Sequence, residues 1–271
     1  MAADEPVQMT FWEHLEALRW HIVRMVAYVI VAAAACWVFR EQLLTVLRYP
    51  AEAGALAAGV DDFSFRIFEA AGGIILMMQI SLVGGLIAAS PLIVMELWLF
   101  VKPALEPHER RYVYAVVPLA TILFLGGVTF CYWIAPKAFA FFFRFNEGLG
   151  VQVELTLQPY LYFLMRLLLV FGISFELPLV LTFLSVIGLV TRAQLLSWWR
   201  HAVVVILVFA AVATPTTDPA TMSFLAAPMV ALYLLSVFLA GLVEKRRAPQ
   251  GLQDAERPDD DEPSAQGPAA G

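Results

Sequence analysis

Charge is scarce in this chain: only 15% of its 271 residues are Asp, Glu, Lys or Arg, against roughly a quarter in globular domains. Together with 61% hydrophobic residues and a mean hydropathy of +0.77, that scarcity excludes an ordinary soluble globule and indicates an integral membrane protein. The formal charge of -6 is concentrated at the end, where Asp254, Glu256, Asp259, Asp260, Asp261 and Glu262 outweigh Arg257. The rest is near neutral and has no basic stripe, so no nucleic-acid partner is expected. Cysteine is nearly absent as well. Cys36 and Cys131 both lie in apolar runs, which leaves no disulfide framework and no metal set. None of the four histidines, His14, His21, His108 and His201, pairs with another at i, i+4 around a glutamate, so a zincin site is excluded. The chain also has no G-x-S-x-G elbow and no glycine-rich phosphate loop, which excludes a serine hydrolase and an ATPase. No cofactor is expected.

Long apolar runs are abundant. A spanning helix needs about 20 mainly apolar residues, and candidates fall near 22–39, 74–95, 112–134, 160–187, 201–213 and 219–243. The fifth is short, about 20 Å of helix against about 30 Å of hydrocarbon, so it starts earlier, through Trp198 and Trp199, or the bilayer thins there. Pro178 and Pro228 each remove a backbone donor within a span and predict kinks. Counting lysine and arginine around the short loops gives eleven on the side of the N-terminus and five on the other. The expected fold is therefore an all-α integral membrane protein with six transmembrane helices and both termini cytoplasmic. An acidic leader and five further spans argue against a cleavable signal peptide. The expected organisation is a cytoplasmic amphipathic segment over 1–21, a transmembrane domain over 22–245 and a disordered acidic cytoplasmic tail over 246–271. The loop near 40–73, with Pro50, Gly54 and Gly59, is too long for a simple turn and predicts a structured outer cap.

Several residues stand out chemically. Thr10 and Glu13 have capping-box spacing, and a helix from there puts Phe11, Trp12, Leu15, Leu18 and Ile22 on an apolar side. Glu13 and Glu16 read simply as a solvated first turn. In "LWLFVKPALEPHERR" the acids Glu106 and Glu109 lie beside Arg110 and Arg111, a pattern that usually means local ion pairs. Glu176 in "FGISFELP" differs, because an ionisable group at membrane depth is costly and a functional candidate by default. It precedes Pro178, so the helix is disrupted beside a carboxyl group, as expected next to a cavity. Arg166 lies about 15 Å away along the helix and can snorkel outward. Glu96, at the inner end of the second span, reads as an interface residue. Asp218, between Pro215 and Pro219, reads as a cap of the sixth helix.

Four segments together resemble the TatC family, the polytopic subunit of the twin-arginine protein translocase: "HLEALR", "SPLIVMELWLFVKPALEPHERR", "VFGISFELPLVL" and "TPTTDPATM". The resemblance runs from about residue 9 to 245. It implies a concave, glove-like bundle with short fifth and sixth helices in the plasma membrane of a prokaryote, without cofactor or covalent chemistry. It also implies a receptor for signal peptides bearing two consecutive arginines, assembling in multiple copies in the lipid bilayer with small single-span subunits of TatA and TatB type and exporting folded proteins with the protonmotive force. The roles it implies are signal-peptide recognition for Phe100, Glu109 and Arg19, a concave-face site within the membrane for Glu176, and outer-side structure for Pro50 and Asp218. The family's motif has a glutamate two residues before the arginine; this chain has Ala17 there, and Glu13, one turn earlier, is the available substitute, whereas neighbouring Glu16, also a candidate signal-peptide residue, points about 100° away from that face. His21 replaces the second basic residue, Glu96 a frequent glutamine and Leu234 a frequent glutamate. A scaffold-only relative and a proton-coupled transporter of a small solute, with Glu176 as the coupling group, are the alternative readings.

Overall fold

The computed structural model describes residues 11–60, 63–67, 72–104, 110–147, 155–213 and 219–255. Nine α-helices carry nearly all of it: α1 (Phe11–Val38), α2 (Arg40–Ala58), α3 (Gly72–Val101), α4 (Arg110–Glu147), α5 (Leu157–Phe175), α6 (Leu177–Val186), α7 (Arg192–Ser197), α8 (Trp199–Ala213) and α9 (Pro219–Ala255). Two dipeptides, β1 (Phe65–Arg66) and β2 (Leu155–Thr156), form a parallel pair with Phe65 opposite Leu155.

Among the described residues, five stretches are long and apolar enough to cross a membrane: Trp12–Val38, Gly72–Val101, Val113–Asn146, Leu157–Val186 and Leu225–Lys245. The shorter apolar helix α8 begins at Trp199, the earlier start that its length called for. At 15 residues it still measures only about 22 Å. The expected break falls at Glu176, which ends α5 and starts α6, with Pro178 at the head of α6. Pro228, by contrast, sits within an uninterrupted α9. Composition suggests a disordered tail from 246, yet α9 keeps helical geometry to Ala255; Glu244, Lys245, Arg246 and Arg247 are all good helix formers.

The predicted cap is a helix. Pro50, fully buried within α2, removes the donor that Val46 would use. Tyr132 of α4 donates its hydroxyl to that carbonyl at 3.0 Å, and Tyr160 of α5 donates to the next one, Leu47, at 2.8 Å. Arg144 reaches from α4 to the Ala57 carbonyl at the end of α2, at 2.6 Å, where a cation also complements the helix dipole. Close approach finishes the fit, since a Cβ on Gly54 would lie 2.7 Å from the Phe139 Cβ and 2.9 Å from the Pro136 carbonyl. The main core lies beneath this cap and includes Ile80, Cys131, Leu161, Leu164 and Ala210. At the opposite, lead-in end a smaller core joins Val94 and Trp98 of α3 to Val113, Ala120, Leu179 and Phe183, with Trp98 edge-on to Phe183.

Candidate functional site

α1 packs along α3. In the half nearer the cap the backbones touch: a Cβ on Gly85 would lie 2.5 Å from the Ala33 nitrogen. In the lead-in half the contact is polar and aromatic. His14, His21 and Tyr28 recur every seven residues and so share one face of α1. That face meets Glu96 and Phe100, one turn apart on α3. The Phe100 ring stacks on His14 with centroids 4.5 Å apart and meets His21 edge-on at 5.8 Å. Glu96 is buried and meets three side chains of α1: it is hydrogen-bonded to His21 Nδ1 at 2.5 Å and accepts from the Tyr28 hydroxyl at 3.2 Å, and it forms an ion pair with Arg24 Nη2 at 3.4 Å.

One expectation changes here. Glu96 is an enclosed acceptor, not a water-facing interface residue, because α1 lies across it. The face that α1 turns to α3 carries His14, His21 and Tyr28; Trp12, Leu15 and Ile22 are exposed instead, as suits a helix whose apolar side meets lipid. Glu13, Glu16 and Arg19 are exposed on α1 around this contact, and Arg19 lies over the Trp20 ring. Phe100, half-buried, joins them at the same end. Glu109 and Asp218 lie outside the described residues, as do Thr10 of the capping box and Glu106.

Glu176 is held elsewhere, at the α5–α6 junction. Its backbone continues the helix, donating to Ile173 and accepting from Val180. Its side chain is half-buried, and Oε1 is enclosed with no hydrogen-bond partner among the described residues. Arg166 is exposed on α5. No group of three or more His, Cys, Asp or Glu suited to a metal occurs among the described residues. The seven-residue recurrence of His14, His21 and Tyr28 was the available signal for the Glu96 cluster.

The family model for the Sec-independent protein translocase protein TatC matches residues 13–228. Among relatives, the Sec-independent protein translocase protein TatC of Koribacter versatilis is 34% identical over 252 residues, covering 91% of this chain and 92% of its own. The chloroplastic protein of Arabidopsis thaliana is also 34% identical, over 87% of this chain and 67% of its own. A crystal structure of the twin-arginine translocase receptor TatC superposes with a TM-score of 0.77 at 29% identity, covering 86% of this chain and all of that one, 100%. A second, in DDM, gives 0.75 at 28%, over 84% of this chain and 99% of its own. With the matched fold, the multi-pass apolar helices and the four motifs in order, this chain belongs to the TatC family and is a core subunit of the twin-arginine translocase.

Proposed function

We propose that this chain is the signal-peptide receptor of its translocase, and that the lead-in end, where α1 crosses the end of α3, is the capture site. It works there on the cytoplasmic side, with six spans and both termini inside. The observation that carries this reading is the assembly of Phe100, His14 and His21 into one ring cluster flanked by exposed Glu13 and Glu16. Two guanidinium groups present forked donors that carboxylates accept in bidentate geometry, which ammonium groups cannot match. Glu109, Glu13 and Glu16 are the acceptors, Arg19 organises the N-terminal helix, and Phe100 supplies an apolar flank. Glu176 serves a later step, with its enclosed oxygen available to a group entering the membrane. Pro50 and Asp218 keep the far side in shape. The chain makes and breaks no covalent bond; with single-span partners of TatA and TatB type, in a complex holding more than one copy, it moves folded proteins outward on the protonmotive force.

Site-specific photo-crosslinking in native membranes tests the reading, using a signal peptide with two arginines and a two-lysine version as reference. Arginine-dependent adducts at Phe100 and in α1 are expected, reduced about tenfold by Glu109→Ala for the loss of one charge-assisted pair. Equal adducts from both peptides overturn the receptor reading; an unchanged yield in Glu109→Ala removes that residue from the site.

A further inference from the structure

We propose that Glu96 is itself a guanidinium-binding carboxylate of the capture site, and that Arg24 is an intramolecular occupant which a signal-peptide arginine displaces. The proposal rests on the receptor reading above and names a subsite within it.

The geometry divides the partners of Glu96 into two kinds. His21 and Tyr28 hold it firmly from the enclosed side, with His21 at 2.5 Å on Oε2 and Tyr28 at 3.2 Å on Oε1. Arg24 is different. Its side chain is 48% exposed while that of Glu96 is 2% exposed, and only one nitrogen, Nη2, reaches the carboxylate, at 3.4 Å. That is well beyond the 2.7–2.9 Å or so of a good charge-assisted bond. Its other contacts are equally long: Nε to the Trp20 carbonyl at 3.4 Å and Nη2 to His21 Nδ1 at 3.3 Å. The last is adverse. With Glu96 ionised, His21 Nδ1 must carry a proton to donate to it, so Arg24 Nη2 faces a donor and not an acceptor. A guanidinium position therefore exists, formed by a fixed carboxylate and open on the side of Arg24, and its occupant makes no ideal contact.

An arginine arriving in an extended peptide approaches from that exposed side and is not bound by the reach of a side chain anchored one turn away. It can present two donors where Arg24 presents one. The exchange is charge-neutral at the subsite, and the contact given up, half-exposed and long, contributes little. A lysine has no fork to recover it. The subsite lies one turn before Phe100 on α3, and on α1 its partner His21 lies one turn after Ala17, whose own side chain offers no carboxylate.

Equilibrium binding of a fluorescent two-arginine signal peptide to membrane vesicles containing the full chain and its partners decides the matter. Glu96→Gln is expected to lower arginine-selective affinity about tenfold, by loss of a charge-assisted pair. Arg24→Ala is expected to raise it about threefold, since a competitor is gone while His21 and Tyr28 still hold the carboxylate. A role confined to bracing α1 makes the opposite prediction for Arg24→Ala, a loss, and that result overturns the proposal. So does wild-type affinity in both variants. The packing of α1 on α3 is read independently from a Gly84→Cys background: a Cβ there lies 3.7 Å from the Cys36 Cβ, within disulfide range, so oxidative crosslinking reports the contact. If Glu96→Gln abolishes that crosslink, the sign of the Arg24→Ala effect alone decides. If the unmodified chain does not prefer the two-arginine peptide over its lysine version, the receptor reading falls and this subsite with it; a preference that neither variant alters removes the subsite alone.

Discussion

At the cap end, α2 is fastened by neutral donors on backbone carbonyls, Tyr132 to Val46, whose helical donor Pro50 lacks, and Tyr160 to the adjacent Leu47. At the lead-in end, α1 is fastened by three side chains converging on one carboxylate, Glu96. The two solutions differ in what can replace them. A neutral hydroxyl on a backbone carbonyl has no charged competitor of matching shape, so the cap is a permanent brace. A carboxylate with a loosely seated guanidinium has an obvious competitor in any peptide arginine. Permanence therefore sits at one end of the bundle and exchangeability at the other.

Substitutions at each end break or sharpen that contrast. The largest effect is expected from Trp98→Ala, which empties the small core against Phe183. Stability in bicelles should fall by about 3–5 kcal/mol, and peptide crosslinking at Phe100, half a turn away, should fall with it. Gly54→Leu follows at about 3 kcal/mol, since any Cβ meets the Phe139 Cβ and the Pro136 backbone. Here the folded fraction should still crosslink the peptide, and a loss of both would erase the distinction between the ends. Tyr160→Phe should cost about 1 kcal/mol by removing the hydrogen bond to the Leu47 carbonyl. That cost should not change between low and high salt, as a neutral bond requires. The smallest is Glu52→Gln, which removes a half-exposed partner of Arg48 at 2.9 Å and should shift stability by less than about 0.5 kcal/mol. A larger shift would mean that charge contributes to the cap after all.

Much of the architecture was readable from apolar run length alone. The long spans, the undersized α8 and the break at Glu176 follow from a count of residues against hydrocarbon thickness and from one proline. The cap as a helix was not readable: Pro50 argues against one locally, and only Tyr132 and Tyr160, from distant segments, compensate the missing bond. Glu96 was misjudged for a similar reason. Its distance from the span's end suggests water, but whether a carboxylate reaches water depends on which face of α1 lies across it. Phe100 and the exposed acids of α1 were placed together by motif order and stand at the same end of the fold.

The pairing of Phe65 with Leu155 also bears on the order in which the chain is put together. Its strands are about ninety residues apart, and α2 rests on α4 and α5 as well. A chain inserted from its N-terminus has α2 on the far side long before Tyr132, Arg144 or Tyr160 arrives to receive it. During that interval the Val46 carbonyl freed by Pro50 has only water or lipid headgroups for company. The cap is therefore a late event of biogenesis, and closing so long a loop is entropically slow. A pause or truncation before residue 160 should leave a chain whose spans are threaded but whose far side is still soft, and which a membrane protease can tell from the finished product.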